Sequence, residues 1–156
     1  MKIVTKGLLA QLSAEARQNQ RLRKNYNIHP SDESRCHRLL NAIEPASYIR
    51  PHCHLDPEKD ETFILISGRL GIVVFANDGE IAETVELSHT SGNLVADIPH
   101  GVFHTAVSLE SGTLFFEAKA GPYRQLCAGE ISSWAPSEDA EPLVQSFLAN
   151  LRSLFD

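Results

Sequence analysis

Residues 50–68 read RPHCHLDPEKDETFILISG. His52 and His54 are two positions apart, and in an extended segment such positions leave the same face, so both imidazoles can reach one point. Leu55 to Asp60 carries Pro57 and four charged residues, which marks an exposed connection. Glu61 then opens an apolar run, where a carboxylate at the strand mouth can face back toward the histidines. Further on, PHGVFH places Pro99 and Gly101 in a tight turn and His104 at the entry to another strand. In an antiparallel β structure His104 can complete the set. Three neutral imidazoles and a carboxylate suit one divalent transition-metal ion, Fe, Mn, Ni, Co or Zn, better than Mg or Ca.

The surrounding text has the punctuation of an all-β core. Short β-branched and aromatic runs alternate with Gly, Pro, Asn and Asp: Arg35 to Ile43, Ser47 to His52, Thr62 to Ser67, Gly71 to Phe75, Ile81 to Leu87, Leu94 to Ile98, Phe103 to Ser108 and Thr113 to Ala118. Asn77-Asp78-Gly79 between two of them is a hairpin turn, because Asp-Gly accepts the positive φ a tight turn demands. Eight such runs predict an antiparallel barrel or double-sheet architecture over about residues 35–120.

Helical periodicity flanks this region. Thr5 is a candidate cap for a helix over about 5–20, with Leu8, Leu9, Leu12 and Ala16 on one face. Ser137 is a candidate cap for a second over about 138–155, where Val144, Phe147, Leu148, Leu151 and Phe155 form an apolar stripe. That stripe packs on the chain's own barrel or on a second copy. The basic run Arg17 to Lys24 reads as a solvated helix face in preference to a polyanion patch.

A chain of 156 residues with 42% hydrophobic content is expected to form one domain, residues 1–156, and to bury a core without disulfides. Its net charge of −6 argues against nucleic acid and anionic membranes as partners. The only early apolar stretch, Gly7 to Leu12, is too short for a signal core or a membrane span, so a cytoplasmic location is expected. Cys36, Cys53 and Cys127 form no CxxC pair, which argues against a thiolate zinc site. Cys53, between the two histidines, is expected as a small apolar residue on the opposite face.

HxH, six residues, Glu, six residues, Gly (His52, His54, Glu61, Gly68) resembles the first motif of the cupins, and Pro99, Gly101 and His104 resemble the second. Ala46 stands at the usual leading Gly, six residues separate Gly92 from Pro99 where five are usual, and Ser108 replaces a terminal Asn. None of these departures removes a ligand. The resemblance implies a cupin-type antiparallel β-barrel or jelly roll with short terminal helices, a metal held by His52, His54, Glu61 and His104, and a homodimer. The longer string NYNIHPSDESRCHRLLNAIEPASYIRPHCH, with AGPY later, is similar to the WbuC family of cupin-fold metalloproteins. Some of these are encoded among bacterial surface-polysaccharide genes, which implies a link to O-antigen or sugar-nucleotide chemistry. That family usually has Arg where this chain has Cys53.

Beside the motifs, Arg35 to Arg50 is unusually polar for strand text. An Arg projecting into a barrel needs an anionic partner, so Arg38 is the candidate for gripping a substrate carboxylate or phosphate, with a salt bridge to Glu44 or Asp32 as the alternative. Tyr48 shares a face with Arg50 and His52 and can present its hydroxyl to a ligand or pack as a barrel aromatic. Tyr123 can cover the mouth or simply reverse the chain, and His100 either lines the mouth or sits in an exposed turn. The expected ligand is a small anion. Glu61 and Tyr48 are the proton-moving candidates of a metal-dependent isomerase, epimerase or dioxygenase. The alternatives are a non-catalytic metal-dependent binding or regulatory module and a metal-free epimerase with a His base and a Tyr acid.

Overall fold

Two antiparallel sheets face one another across a shared apolar core in a computed structural model describing residues 1–156. The elements run α1 (Lys6–Gln18), β1 (Arg23–Asn27), β2 (Cys36–Ile43), β3 (Glu61–Ser67), β4 (Arg69–Phe75), β5 (Ile81–Ser88), β6 (Val95–Ile98), β7 (Phe103–Ser108), β8 (Thr113–Ala120) and α2 (Glu141–Arg152). One sheet has the order β1-β2-β8-β3-β6 and the other β5-β4-β7. The architecture is the expected antiparallel β fold with terminal helices, organised as a sandwich of two open sheets and not as a closed barrel.

Ile43, Phe63, Leu65 and Phe115 from the larger sheet meet Leu70, Ile72, Leu87 and Ala106 from the smaller to form the inter-sheet core. The helices cover the outer faces. Leu12 and Ala16 of α1 pack on Leu40, Ala42 and Leu114. Val144, Leu148 and Leu151 of α2 pack on Tyr48, Val73, Phe75 and Val107. The α2 stripe is therefore used within the chain. Thr5 caps α1 by accepting from the Leu8 N–H at 3.2 Å. Ser137 does not cap α2: its hydroxyl donates to Asp139, and the helix starts later, with Pro142 in a first turn where an N–H is not needed.

Two strand expectations are corrected. Ser47 to Pro51 is not a regular strand, and only His52 pairs, bridging both His104 and Ile131. Pro51 has no N–H to give a ladder, and Ile49 offers its carbonyl to the Thr105 hydroxyl at 2.6 Å instead. Conversely, Arg23 and Lys24, read as a helix face, begin β1. Leu22 takes φ 53° after α1 ends, which turns the chain into the antiparallel register Arg23↔Ile43 to Asn27↔Leu39.

Gly68 links β3 to β4 at φ 83°, and a Cβ there would sit 2.5 Å from Thr113 Oγ1. The spacing from Glu61 to this glycine thus reflects both a turn and a close approach of backbones.

Candidate metal centre

The two sheets bring the site together from opposite sides. His52 lies along β7 through a reciprocal pair of backbone bonds with His104, at 3.0 and 2.9 Å, so both belong to the edge of the smaller sheet. Glu61 opens β3 in the larger sheet, opposite Lys119 of β8. Ligand atoms of His52, His54 and Glu61 all lie within 4.8 Å of one another. His104 is outside that mutual set, yet its Nε2 is 3.1 Å from Glu61 Oε2, the distance at which His54 Nε2 also meets that oxygen.

Backbone carbonyls set the ring orientations. His52 Nδ1 is 3.1 Å from the Arg50 carbonyl and His104 Nδ1 is 2.9 Å from the Val102 carbonyl. A carbonyl accepts, so each Nδ1 carries the proton and each neutral ring presents its Nε2 lone pair. His104 Nε2 then faces a carboxylate oxygen, lone pair toward lone pair. That arrangement calls for a cation or a proton between them, and oriented imidazoles around a carboxylate are how proteins hold a metal.

Glu61 is 2% exposed. Burial pushes its pKa up, but Lys119 and the bonds to His104 and His54 outweigh this and hold it well below the usual carboxylate range. Burial pushes His52 down to about 4, with His104 adding to the shift. A charged carboxylate beside a neutral imidazole is the protonation state that ligation requires.

A polar ladder that was not anticipated runs across the larger sheet from this point. Lys119 Nζ donates to Glu61 Oε1 and Glu117 Oε1, each at 2.8 Å, and Asn41 Nδ2 donates to Glu117 Oε2 at 2.8 Å. Lys119 thus occupies one oxygen of Glu61 and leaves Oε2 to the histidines. Burial pushes Glu117 up to about 7, and the Glu61 charge adds to this. For Lys119 burial acts downward, but the two carboxylates outweigh it and raise its pKa. The signal was present in TLFFEAKA, where period two continues the inward face of Phe115 through Glu117 to Lys119.

Above the ladder is a cavity of about 410 Å³, with His52, Glu61, His104, Glu117 and Lys119 at its base and Arg21, Arg23 and Lys24 on its rim. The other sequence candidates fall as follows. Arg38 is exposed and does not line this cavity, because β2 alternation sends it outward with Leu40 and Ala42 while Asn41 and Ile43 turn inward. Its backbone, not its guanidinium, is engaged, with His29. Tyr48 is 6% exposed, packs edge-on against Phe147 and donates its hydroxyl to the Pro136 carbonyl at 2.9 Å. Burial pushes its pKa up to about 12. The irregular backbone from Ser47 to Pro51 breaks the alternation that would have aligned it with His52.

Arg50 lies beside His52 in a neighbouring cavity and donates to the Ser132 carbonyl at 2.6 Å. Tyr123, 58% exposed, borders an opening of about 170 Å³ shared with His52, His54 and Lys119. His100 is exposed and paired with Asp60 at 3.0 Å. Cys53 is buried, with Cys36 and Cys127 exposed.

Solved structures share this architecture. KdgF from Halomonas sp. aligns at 18% identity over 65% of this chain and 82% of its own, with a TM-score of 0.51. The TT1209 protein from Thermus thermophilus aligns at 23% over 77% and 97%, with a TM-score of 0.54. A cupin superfamily protein from Desulfitobacterium hafniense aligns at 11% over 63% and 76%, with a TM-score of 0.50. At these identities the likeness concerns the fold, which is the cupin fold. No curated protein sequence matches the chain. No helix is long and apolar enough to cross a membrane. The profile of a domain of unknown function, DUF6016, matches residues 4–87, from α1 through nearly all of β5, and the chain belongs to that family.

Proposed function

We propose that this protein is a metal-binding cupin that holds one divalent transition-metal ion on His52, His54, Glu61 and His104 and takes a small, oxygen-rich anion into the cavity above it. The observation that carries the metal is the meeting of His54 Nε2 and the carbonyl-oriented His104 Nε2 on Glu61 Oε2, each at 3.1 Å, with a His52 ligand atom within 4.8 Å of those of His54 and Glu61. The donor set fits Fe, Mn, Ni, Co or Zn. Such an ion supplies Lewis acidity toward a carbonyl or hydroxyl when bound. The chain's own residues do the rest: Lys119 keeps Glu61 ionised, and Arg21, Arg23 and Lys24 attract an anion to the rim.

The resemblance to the WbuC family supports a sugar or sugar-nucleotide derivative in bacterial surface-polysaccharide synthesis as that anion. Glu117, a carboxyl with a pKa of about 7 facing the cavity, is a group able to exchange a proton near neutrality and supports an isomerase or epimerase. Tyr48 does not take that role, since its hydroxyl is committed to Pro136. This withdrawal of the tyrosine favours, as a second reading, a non-catalytic module that binds its ligand through the metal. A homodimer is also part of the proposal; exposed Ile64 and its β6 partner Val95 are apolar surface available to it.

Elemental analysis of protein purified without added metal tests the centre. About one equivalent, lost in His54→Ala, is the expected result, and less than ~0.2 equivalents with no uptake on titration refutes it. A sugar-nucleotide panel with wild type and His104→Ala then separates the readings. Turnover lost in the variant supports the enzyme, and metal-dependent binding without turnover in either protein supports the module.

A further inference from the structure

We propose that Arg21, Arg23 and Arg50 form a phosphate-binding subsite at the side of the metal centre, so that the ligand is a phosphate ester whose phosphoryl group is anchored here while its oxygen-rich part reaches the cavity floor. The assignment deepens the anion reading above and rests on it.

The three guanidiniums line one cavity of about 320 Å³ together with His52 and a single carboxylate, Glu138. Arg21, Arg23 and His52 also line the cavity over the ladder, so the two spaces adjoin. Glu138 Oε1 accepts from Arg21 at 2.7 Å and from Arg23 at 2.8 Å, which leaves three positive charges against one negative. Asp139 is near enough to feel Arg50, but its oxygen is taken by the Ser137 hydroxyl and its side chain is in solvent. The net excess of two matches a phosphate dianion, and planar forked donors suit its oxygens.

Unspent donors make this more than a structural ion pair. Arg50 uses one terminal nitrogen on the Ser132 carbonyl, and its other terminal nitrogen makes no bond within the chain. A salt bridge that merely tied Glu138 to β1 would explain Arg21 and Arg23 but not the gathering of Arg50 on the same cavity. An oxyanion in the cavity accounts for all three.

The test is titration calorimetry of metal-free and metal-loaded protein with inorganic phosphate, pyrophosphate and, as a carboxylate control, malonate. Phosphate or pyrophosphate binds wild type, and Arg21→Gln and Arg50→Gln each weaken it about tenfold or more. Arg23 also donates to the Tyr48 carbonyl, so its removal can disturb folding and is not the decisive variant. Glu138→Gln instead tightens binding several-fold, a gain that misfolding cannot imitate. The subsite is refuted if phosphate and pyrophosphate fail to bind either form, if Arg50→Gln binds like wild type, or if Glu138→Gln weakens binding. Malonate bound as tightly as phosphate overturns the assignment to a phosphoryl group. Metal uptake is read separately, so a protein that loads metal but ignores phosphate loses only the subsite. Phosphate binding without metal uptake upholds the subsite and removes the metal centre.

Discussion

Lys119→Met is the most informative single change outside the candidate ligands. The ammonium lies 2.8 Å from a carboxylate oxygen on each side, and the side chains of Lys119, Glu61 and Glu117 are only 20%, 3% and 12% exposed. At an effective dielectric near 20, each contact is worth about 6 kcal/mol before desolvation is subtracted. Most of that gross figure offsets the loss of hydration. What the variant exposes is the remainder: two buried carboxylates with their cation removed, a loss on the order of 3–5 kcal/mol at pH 8. At pH 6 the cost should be smaller, because Glu117, at about 7, is already largely protonated in the wild type and gives Lys119 less to balance. Adding Glu117→Gln should return part of the loss, since only one charge is then left uncompensated. Urea unfolding of chelator-treated protein reads this directly. Trp134, the single tryptophan, packs 4.8 Å from Phe75 and reports the smaller sheet. A loss below about 1 kcal/mol at pH 8, or a double variant whose losses simply add, would refute the idea of a coupled buried ladder.

Two further outcomes follow from the same geometry. Because the folded value of Glu117 is raised above 4.5, to about 7, its contribution to stability is fully present below pH 4.5 and is lost as pH rises through 7. The stability difference between wild type and Glu117→Gln should therefore change by on the order of 3 kcal/mol between those limits, and a difference independent of pH counts against the assignment. Gly79→Ala meets two obstacles, a φ of 94° and a Trp134 ring 2.7 Å from the added methyl. We expect a loss of about 1–3 kcal/mol in the urea midpoint series, and an unchanged midpoint would mean that the β4–β5 hairpin is placed differently.

The candidate cluster of His52, His54 and Glu61 was legible in HxH and the glutamate after it because the three lie close together in the chain. Extended backbone around His52 is enough to bring His52 and His54 to one side, and the proline and charges between them and Glu61 announce the loop. His104 was legible as the residue that enters a strand after a Pro and Gly turn. The candidates around them were less so. Arg38 and Tyr48 were placed by extending alternation through Arg35 to His52 as though it were continuous. The chain breaks regular pairing after Glu44, and β2 has its own phase, so Arg38 points to the outer face and Tyr48 under α2.

The residues that frame the cavity depend on partners distant in the chain. Arg23 belongs to the rim because β1 pairs with β2, and nothing in RQNQRLRK distinguishes a strand edge from a solvated helix face until Ile43 and Leu39 are known to lie opposite. Lys119 meets Glu61 because β3 and β8 share a register 58 positions apart. What the sequence by itself determined was local: an all-β core punctuated by turns, two amphipathic ends, and candidate ligands close together in the chain. Which charges surround those residues was decided by strand order and by the facing of two sheets. Electrostatic interactions act through space at a few ångströms, and only the tertiary structure converts distance along the chain into that distance.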